Sequence, residues 1–418
     1  MSKLLYILFT KLYPAAAAML APFNRKARLW LVGRKHIFRT IAEGVLNDSR
    51  KKIWMHCSSL GEFEQGLTVI EQIKKQYPEY CIVVTFFSPS GYEHEKNNQV
   101  ADHVFYLPID SKSNASAFFE LIQPGLVLFI KYEFWHYYLA EAKKRGIPLL
   151  LVSGIFRSSQ PFFKWYGNFH RKMLGCFTHL FVQYDEAMKL LRTINIQNVS
   201  VSGDTRFDRV LELASNAQPI DLIDGFCDNK TTIVAGSTWL EDDEELNHFV
   251  NTNPDKRFII APHDIGEERL KECESLYKNA IRYSQYKAGQ FDSNGKNVLL
   301  IDNIGMLKFL YRYGTICYVG GGFGGDGVHN VLEAAVYQKP VIFGPVYDKF
   351  IEASGLIQYE GAFSIEDALE LETVISDLLE DEAYYLETAK NAATFIREKT
   401  GATACVLTYI QANLLLTN

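Results

Sequence analysis

The sequence of 418 residues has few of the features that are typical of secreted, zinc-stabilised or repeat proteins. Its seven cysteines are odd in number and widely spaced, and no Cys-x-x-Cys pair occurs. This pattern argues against a disulfide framework or a zinc site and indicates reduced thiols in a cytoplasm. Short-period repeats, low-complexity tracts and arginine-rich or RNA-binding motifs are also lacking, so we do not expect nucleic acid as a partner.

The N-terminal region lacks an uninterrupted apolar run. Residues 4–21 are mostly apolar but are broken by Lys11 and Pro14, whereas a bilayer span needs about 20 consecutive apolar residues. Residues 1–52 carry eleven basic and two acidic side chains in a chain with a net charge of −6. This asymmetry predicts an interfacial helix, or a marginal single span, on an anionic membrane surface. A buried helix of an N-terminal domain is the alternative.

The length and pattern of the chain predict two α/β domains. Short apolar runs alternate with amphipathic stretches, which is typical of parallel, doubly wound sheets. Strands are expected at 53–57, 82–86, 126–130, 149–152, 179–182, 199–201, 232–235, 258–260, 298–300, 315–319 and 340–343. We predict a membrane-associating segment over 1–48, an N-terminal domain over 49–212, a linker over 213–230 and a C-terminal domain over 231–418. The ligand cleft is expected between the two domains.

Two carboxylates directly follow predicted strands of the first half. Glu62 comes after Gly61, whose freedom suits a tight strand-to-helix turn. Glu133 lies between aromatic residues after the next strong strand. A partly buried carboxylate at such a position can serve as a general base. The alternatives are a helix N-terminal glutamate for Glu62 and a solvated loop residue for Glu133.

Two further positions could bind anions. Arg206 stands at the end of the first half, where its guanidinium could clamp a phosphate or carboxylate, or form an ion pair with Asp204 or Asp208. His263 follows the strand at 258–260 and could contact a phosphate or a sugar hydroxyl. A single histidine is a weak signal by itself.

The strongest pattern is the glycine-rich segment 319–333, where a strand runs into a turn that is expected to open a helix. Backbone N–H groups in such a turn can approach an anion closely. Asn330 and Glu333 are three apart and would share a helix face. The segment contains Gly-x-Gly-x-x-Gly twice, which raises a dinucleotide dehydrogenase as a rival. Against this rival, Asp348 follows a Gly-Pro loop and not the second strand.

Seven segments, taken together and in order, make the chain resemble the 3-deoxy-D-manno-octulosonic acid (Kdo) transferases of lipopolysaccharide assembly. They are HCSSLGE at 56–62, TFFSPSG at 85–91, KYEFW at 131–135, SGDTRFD at 202–208, APH at 261–263, GVHNVLE at 327–333 and FGP at 343–345. The resemblance implies a GT-B fold of two Rossmann-like domains, CMP-Kdo as donor, a lipid A precursor of the lipid IVA type as acceptor, and inversion without a catalytic metal or another cofactor.

The resemblance also implies roles for individual residues. Glu62 would be the general base and Glu133 a second catalytic carboxylate. The CMP-Kdo site would contain Arg206, Pro262, His263, Gly322, Asn330 and Glu333. Arg206 stands where lysine is usual, and His263 follows Pro262 where arginine often occurs. For the acceptor we expect Ser59, Arg157 and Arg171, the arginines being interleaved with aromatic residues at 162–166.

The leading hypothesis is therefore an inverting Kdo transferase on the cytoplasmic face of the bacterial inner membrane, held there by its N-terminal segment. Another GT-B transferase that uses a UDP-sugar on a lipid acceptor is the first alternative. A membrane interaction protein without catalytic activity is the second alternative.

Overall fold

The computed structural model describes residues 3–289 and 295–417, and it divides into two compact units. The first unit contains Met1–Arg209 and Thr400–Asn418, and the second contains Val210–Lys399. Each unit is built on a seven-stranded sheet in which all strand pairs are parallel. Parallel strands need crossover connections, and helices provide them in both units.

The first sheet has the order β3-β2-β1-β4-β5-β6-β7. Its strands are β1 Lys52–Cys57, β2 Cys81–Phe86, β3 His103–Tyr106, β4 Pro124–Ile130, β5 Leu149–Gly154, β6 His179–Val182 and β7 Val199–Val201. Every residue of β1 and β2 is buried. Alternate residues pack into separate cores on the two faces, with Trp54 on one and Met55 on the other. Burial on both faces explains why these strands are almost continuously apolar.

The helices of the first unit connect and cover this sheet. They are α1 Lys3–Leu20, α2 Arg25–Val32, α3 Ile37–Val45, α4 Leu60–Gln76, α5 Pro89–Glu95, α6 Lys112–Ile122, α7 His136–Lys144, α8 Asn168–Leu174, α9 Asp185–Thr193 and α10 Thr205–Ser215. A single 3-10 turn covers Pro161–Phe163. The division between the two units falls within α10.

Helix α1 is attached to the first unit along one side only. The Tyr6 hydroxyl donates to Asp110 Oδ2 over 2.5 Å and accepts from the His136 backbone N–H over 3.1 Å. On α1, Tyr6, Thr10 and Ala17 are buried. Its large apolar side chains are exposed: Leu4, Leu5, Leu8, Phe9, Leu12, Met19 and Leu20. By length and composition alone α1 could cross a bilayer, and its apolar surface is not used by the fold.

The second sheet has the order β10-β11-β9-β8-β12-β13-β14. Its strands are β8 Thr232–Thr238, β9 Arg257–Pro262, β10 Ala280–Arg282, β11 Val298–Leu300, β12 Ile316–Val319, β13 Val341–Phe343 and β14 Ala362–Ser364. The helices are α11 Asp221–Cys227, α12 Leu240–Thr252, α13 Glu267–Leu276, α14 Tyr283–Lys287, α15 Leu307–Leu310, α16 Leu332–Ala335, α17 Ile351–Gln358, α18 Ala368–Glu380 and α19 Glu382–Lys399, with a 3-10 turn at Tyr311–Tyr313.

Two of the predicted boundaries are wrong. The predicted linker over 213–230 contains the end of α10 and the whole of α11, so it is largely helical. The predicted C-terminal domain over 231–418 ends too late, because helix α20, Ala402–Ala412, belongs to the first unit. Val406 and Ile410 of α20 lie in the same core as Met55. The segment over 1–48 is likewise part of the first unit, with Ile41 of α3 fully buried in its core.

The two sheets share a topological feature that positions the candidate site. In the first sheet the chain reverses its direction of winding between β1 and β4, and in the second between β8 and β12. In open α/β sheets, ligands bind beyond the carboxyl ends of the strands at such a switch point. The loops that matter most are therefore those after β1, β4, β8 and β12.

Candidate functional site

Glu62 lies at the switch point of the first sheet, in the first turn of α4 after β1. Its side chain folds back over the turn and accepts a hydrogen bond from the Ser58 backbone N–H. Ser59 is the N-cap residue, and its hydroxyl makes no capping hydrogen bond. Burial raises the pKa of Glu62 to about 7, and the negative charge of Glu133 acts in the same direction. A carboxylate with this pKa is suited to proton transfer near neutral pH.

Glu133 lies on the neighbouring loop, which follows β4. The loop begins at Lys131, whose backbone φ of 63° is in the left-handed region. Glu133 is 9% exposed, and its Oε2 accepts from Trp135 Nε1 over 2.6 Å and lies 3.2 Å from His56 Nε2. The two predicted catalytic carboxylates therefore follow adjacent strands, and the charge of Glu133 raises the pKa of Glu62.

Several of the predicted site residues lie near Tyr132 and act on its hydroxyl. Burial raises the pKa of its hydroxyl, while the positive charges of Arg157 and Arg206 lower it and the negative charge of Glu62 raises it. Arg157 also forms a side-chain hydrogen bond with Tyr132. The predicted base, one predicted acceptor ligand and one predicted donor ligand therefore face the same tyrosine. Sequence reasoning missed Tyr132, although it lies inside the motif that pointed to Glu133.

Arg206 forms an ion pair with Asp204, which was one of its two predicted alternatives. Its Nε and its NH2 group both reach Asp204 Oδ2 over 2.8 Å. Asp204 Oδ1 in turn accepts from the Arg206 backbone N–H over 2.9 Å and from Gln65 of α4 over 3.3 Å. Asp208 instead accepts from the backbone N–H groups of Gly401 and Thr403, each over 2.6 Å. Through Asp204 and Gln65, Arg206 is thereby held near α4, the helix that carries Glu62.

Arg171 lies apart from these contacts, on α8. Its NH2 group donates to the Lys164 backbone carbonyl over 2.8 Å, and its buried Nε makes no hydrogen bond within the described part of the chain. It braces the loop that presents Trp165, whose side chain is 92% exposed. An indole so fully exposed is unusual and marks a surface able to take an apolar partner.

In the second unit, three rings stack beyond the ends of β8 and β9. His263 stacks on both Trp239, with a centroid distance of 4.6 Å, and His329, with a centroid distance of 4.5 Å. Trp239 Nε1 donates to His329 Nε2 over 3.0 Å. Pro262 is the last residue of β9, and the His263 backbone N–H donates to the Thr238 carbonyl. Burial, and then the neighbouring His263, lowers the pKa of His329.

The glycine-rich turn after β12 is held by Asp242. The Oδ2 atom of this carboxylate accepts from the backbone N–H groups of Gly321 and Trp239, over 2.9 and 2.8 Å. Gly321 has a φ of +90°, which favours glycine. Gly322 lies against the backbone of Gly344, and a Cβ built on Gly322 would approach Gly344 N to 2.5 Å. Glycine at both positions is therefore needed for the turn to close.

The helix predicted after the turn is present but short. Residues 327–330 are irregular, and α16 is one turn of four residues. Asn330 and Glu333 nevertheless meet, since Asn330 Nδ2 donates to Glu333 Oε1 over 3.0 Å. Their association comes from this side-chain bond and not from a shared helix face.

One group of side chains could in principle hold a metal ion. Ligand atoms of Asp48, Cys81 and His103 lie within 4.8 Å of one another. The carboxylate of Asp48, however, already binds the Arg50 guanidinium over 2.6 Å, and burial raises the pKa of the Cys81 thiol to about 12. These residues lie at the opposite ends of β2 and β3 from the candidate site. The chemistry of this group does not favour a cation.

The two parallel seven-stranded sheets and their switch points define a fold of the GT-B class. The structure of UDP-GlcNAc 2-epimerase from Neisseria meningitidis bound to UDP-GlcNAc superposes with a TM-score of 0.61 and 16% identity, covering 86% of this chain and all of that one. MurG from Acinetobacter baumannii superposes with a TM-score of 0.52 and 14% identity, covering 87% and 99%. At these identities the likeness shows the fold alone, and it confirms the predicted GT-B class.

Sequence comparison tests the predicted resemblance to the Kdo transferases. A model described as 3-deoxy-D-manno-octulosonic-acid transferase (kdotransferase) matches residues 33–209. The 3-deoxy-D-manno-octulosonic acid transferase of Rickettsia felis is 29% identical over 345 residues, covering 79% of this chain and 72% of the relative. That of Aquifex aeolicus is 27% identical over 341 residues, covering 80% and 88%. The predicted resemblance to the Kdo transferases is confirmed, and these relatives indicate that the chain is a glycosyltransferase.

Proposed function

We propose that this transferase moves Kdo from CMP-Kdo to a lipid A precursor of the lipid IVA type, with inversion at the anomeric carbon. Glu62 is the general base in this proposal. The observation that carries it is the burial of Glu62, which raises its pKa to about 7. A carboxyl group with this pKa is largely ionised just above neutral pH and is a stronger base than an exposed glutamate.

In the proposed reaction, Glu62 takes the proton from an acceptor hydroxyl while that oxygen forms a bond to the anomeric carbon of Kdo. The bond between this carbon and the phosphate oxygen of CMP breaks, and its electron pair leaves with CMP. A phosphate monoester departs without a strong acid, so one base and a set of cations suffice. Glu133 is the second carboxylate of the proposal, and its charge keeps Glu62 basic.

For the donor we propose the residues that the family resemblance implies. Arg206, oriented by Asp204, would bind a phosphate or carboxylate with its planar fork. The stacked ring of His263 and the bonded pair of Asn330 and Glu333 offer groups suited to a nucleotide and its ribose hydroxyls. Pro262, the last residue of β9, and Gly322, which has no side chain, complete the proposed donor contacts.

For the acceptor we propose Ser59, Arg157 and Arg171, together with the exposed indole of Trp165. Ser59 stands in the turn that carries Glu62, and Arg157 contacts Tyr132. A lipid A precursor carries phosphates and acyl chains, which match arginine and aromatic side chains. These assignments give the acceptor both an anion-binding and an apolar contact.

The membrane part of the proposal concerns α1. Its exposed leucines and Phe9 form an apolar surface within the basic segment 1–52. Apolar insertion combined with basic side chains is how amphipathic helices bind anionic bilayers. We therefore place the enzyme on the cytoplasmic face of the bacterial inner membrane, where its lipid acceptor would be accessible.

The catalytic proposal is tested by Glu62→Gln. The variant should bind CMP as tightly as the wild type, measured by calorimetry, but form no Kdo-lipid product detectable by mass spectrometry after incubation with CMP-Kdo and lipid IVA. Glu64→Gln on the same helix is the matched control, because Glu64 is partly exposed and pairs with Arg209. Near-normal transfer by Glu62→Gln would overturn the role of Glu62. Binding of UDP in preference to CMP would favour the UDP-sugar alternative.

The membrane proposal is tested by cosedimentation with phosphatidylglycerol vesicles. Leu8→Asp places a charge on the exposed apolar side of α1, where Leu8 is 49% exposed, and should reduce binding about tenfold or more. Leu386→Asp is the control, since Leu386 is 57% exposed but lies in the second unit. Equal vesicle binding by both variants and the wild type would contradict the role of α1.

A further inference from the structure

Helix α1 supplies one of the groups that cap the N-terminus of α7. The first backbone N–H groups of a helix have no partner within the helix and must be satisfied from outside. In α7, the N–H of His136 donates to the Tyr6 hydroxyl over 3.1 Å. The N–H groups of Tyr137 and Tyr138 donate to the carboxylate of Asp110, over 3.1 and 3.2 Å. Three successive N–H groups are therefore satisfied by two side chains, one from α1 and one from the loop after β3.

The two capping side chains are bonded to each other. The Tyr6 hydroxyl donates to Asp110 Oδ2 over 2.5 Å, and the two residues are only 5% and 2% exposed. Burial raises the pKa of Asp110 to about 6, while the Tyr6 hydroxyl and the N–H groups of α7 lower it. Asp110 is therefore ionised at pH 8, and a carboxylate can only accept. A hydroxyl that donates to a buried carboxylate and accepts from a backbone N–H is held in one position.

The capped end of α7 is also the end of the loop that carries Glu133. Trp135 is the N-cap residue of α7, and its Nε1 donates to Glu133 Oε2 over 2.6 Å. A single peptide bond joins Trp135 to His136, whose N–H is the one that Tyr6 accepts. The side chain of the N-cap residue itself makes no capping hydrogen bond. The position of this helix end therefore depends on Tyr6 and Asp110.

We propose that Tyr6 is a positioning residue, which caps α7 together with Asp110 and thereby holds the loop of Glu133 in place. Helix α1 then has a second task besides membrane contact, because its buried side supports the candidate site while its apolar side stays exposed. The proposal rests on the proposed roles of Glu62 and Glu133 in the transfer, and it adds a residue of α1 that acts on them from a distance.

The consequence for the reaction lies in the charge of Glu133. That charge raises the pKa of Glu62, after the larger effect of burial. If the end of α7 loses one of its caps, Trp135 moves with it, and Glu133 no longer has a donor in a fixed direction. The charge of Glu133 then acts less on Glu62, which becomes a weaker base. We therefore expect a slower chemical step with unchanged binding of both substrates.

The cap is tested first without any substrate, by hydrogen–deuterium exchange of the full-length protein at pH 8. Tyr6→Phe removes only the hydroxyl and keeps the ring against Phe169, at a centroid distance of 5.5 Å. Peptides that cover residues 131–140 should exchange about 3- to 10-fold faster than in the wild type, while peptides that cover β5 should not change. Unchanged exchange over 131–140 would overturn the proposal. Because this readout uses no substrate, its failure is distinct from a failure of the proposed function.

The effect on the reaction is measured with two matched tyrosine variants of α1. Tyr6→Phe should lower kcat about 3- to 10-fold with both KM values unchanged, and the acidic limb of its kcat/KM profile should move to lower pH. Tyr13→Phe is the control, because Tyr13 contacts Trp30 and Phe87 through its ring and its hydroxyl makes no hydrogen bond to the described residues. Both variants should bind phosphatidylglycerol vesicles like the wild type. Wild-type kcat in Tyr6→Phe, an unmoved acidic limb, or an equal loss in both variants would contradict the positioning role.

A double-mutant cycle tests whether the two capping side chains act through the same helix end. Asp110→Asn keeps the size of the side chain and one oxygen for the N–H groups of α7, but it removes the charge to which Tyr6 donates. This variant alone should lower kcat at least as much as Tyr6→Phe. Adding Tyr6→Phe to it should then lower kcat by less than about twofold more, because the shared bond is already weakened. Losses that multiply fully in the double variant would refute the shared cap.

Discussion

The burial that raises the pKa of Glu62 should also make the folded chain less stable at neutral and alkaline pH. In the unfolded chain Glu62 has its ordinary pKa of 4.5, whereas in the folded chain burial raises that pKa to about 7. Above pH 7 the folded protein therefore holds a charge that the unfolded chain would solvate better. Replacing Glu62 with glutamine removes this charge and keeps an oxygen that can accept from the Ser58 N–H.

The size of the effect follows from the difference between the two pKa values. The pKa values of 4.5 and about 7 differ by about 2.5, and a pKa difference of one corresponds to about 1.4 kcal/mol, so the upper limit is about 3.5 kcal/mol. Because the folded pKa is raised, the folded state binds the extra proton between pH 4.5 and 7, and stability falls as pH rises through that range. Glu62→Gln should thus be more stable than the wild type by about 1–3 kcal/mol at pH 8, with the difference vanishing towards pH 4.5.

The free energy of unfolding is measured by urea titration at several pH values, followed by tryptophan fluorescence. Four of the five tryptophans lie in the first unit, so the signal reports mainly on the unit that contains Glu62. Glu64→Gln is again the control and should show no such pH-dependent gain. The reasoning would be refuted if Glu62→Gln were no more stable than the wild type at pH 8, or if its advantage grew as the pH fell.

Two further predictions concern the charge of Glu133 and the glycine-rich turn. Glu133→Gln removes a negative charge that raises the pKa of Glu62, so the acidic limb of the kcat/KM profile should move to lower pH while staying above 4.5, since burial remains; a limb that stays or moves upward would contradict this. Gly322→Ala forces a Cβ to within 2.5 Å of Gly344 N and should cost about 1–3 kcal/mol in thermal unfolding and weaken CMP binding. Gly325→Ala, with nothing within 4 Å of its added Cβ, should do neither.

The sequence alone was sufficient for the fold class and for the loops that form the candidate site. Apolar runs separated by amphipathic stretches predict parallel sheets, because strands buried on both faces must be apolar and must be joined by crossovers. Parallel strands bring their carboxyl ends to one edge of the sheet. Residues that directly follow strands, such as Glu62 and Glu133, were therefore expected on the same edge without knowledge of their distance.

Short elements and the ends of the domains were beyond what the pattern could determine. Strands β3, β10 and β14, with three or four residues each, were not predicted. Helix α20 has an apolar side that could pack against either sheet, and only the tertiary structure decides that it returns to the first unit. The short length of α16 is also decided by the tertiary structure. The chain after Gly327 is held by hydrogen bonds to Val346 and Gly320 and not by helical hydrogen bonds.

The partners of the catalytic side chains were decided only by the tertiary structure. His56 and Glu133 are 77 positions apart, and they meet because β1 and β4 are neighbours at the switch point. No local pattern encodes that adjacency, since strand order depends on how all the crossovers pack. The sequence by itself determined which residues stand at strand ends, and tertiary packing decided which of them are in contact. Burial, a property of the whole fold, is what raises the pKa of the Glu62 carboxyl group to about 7.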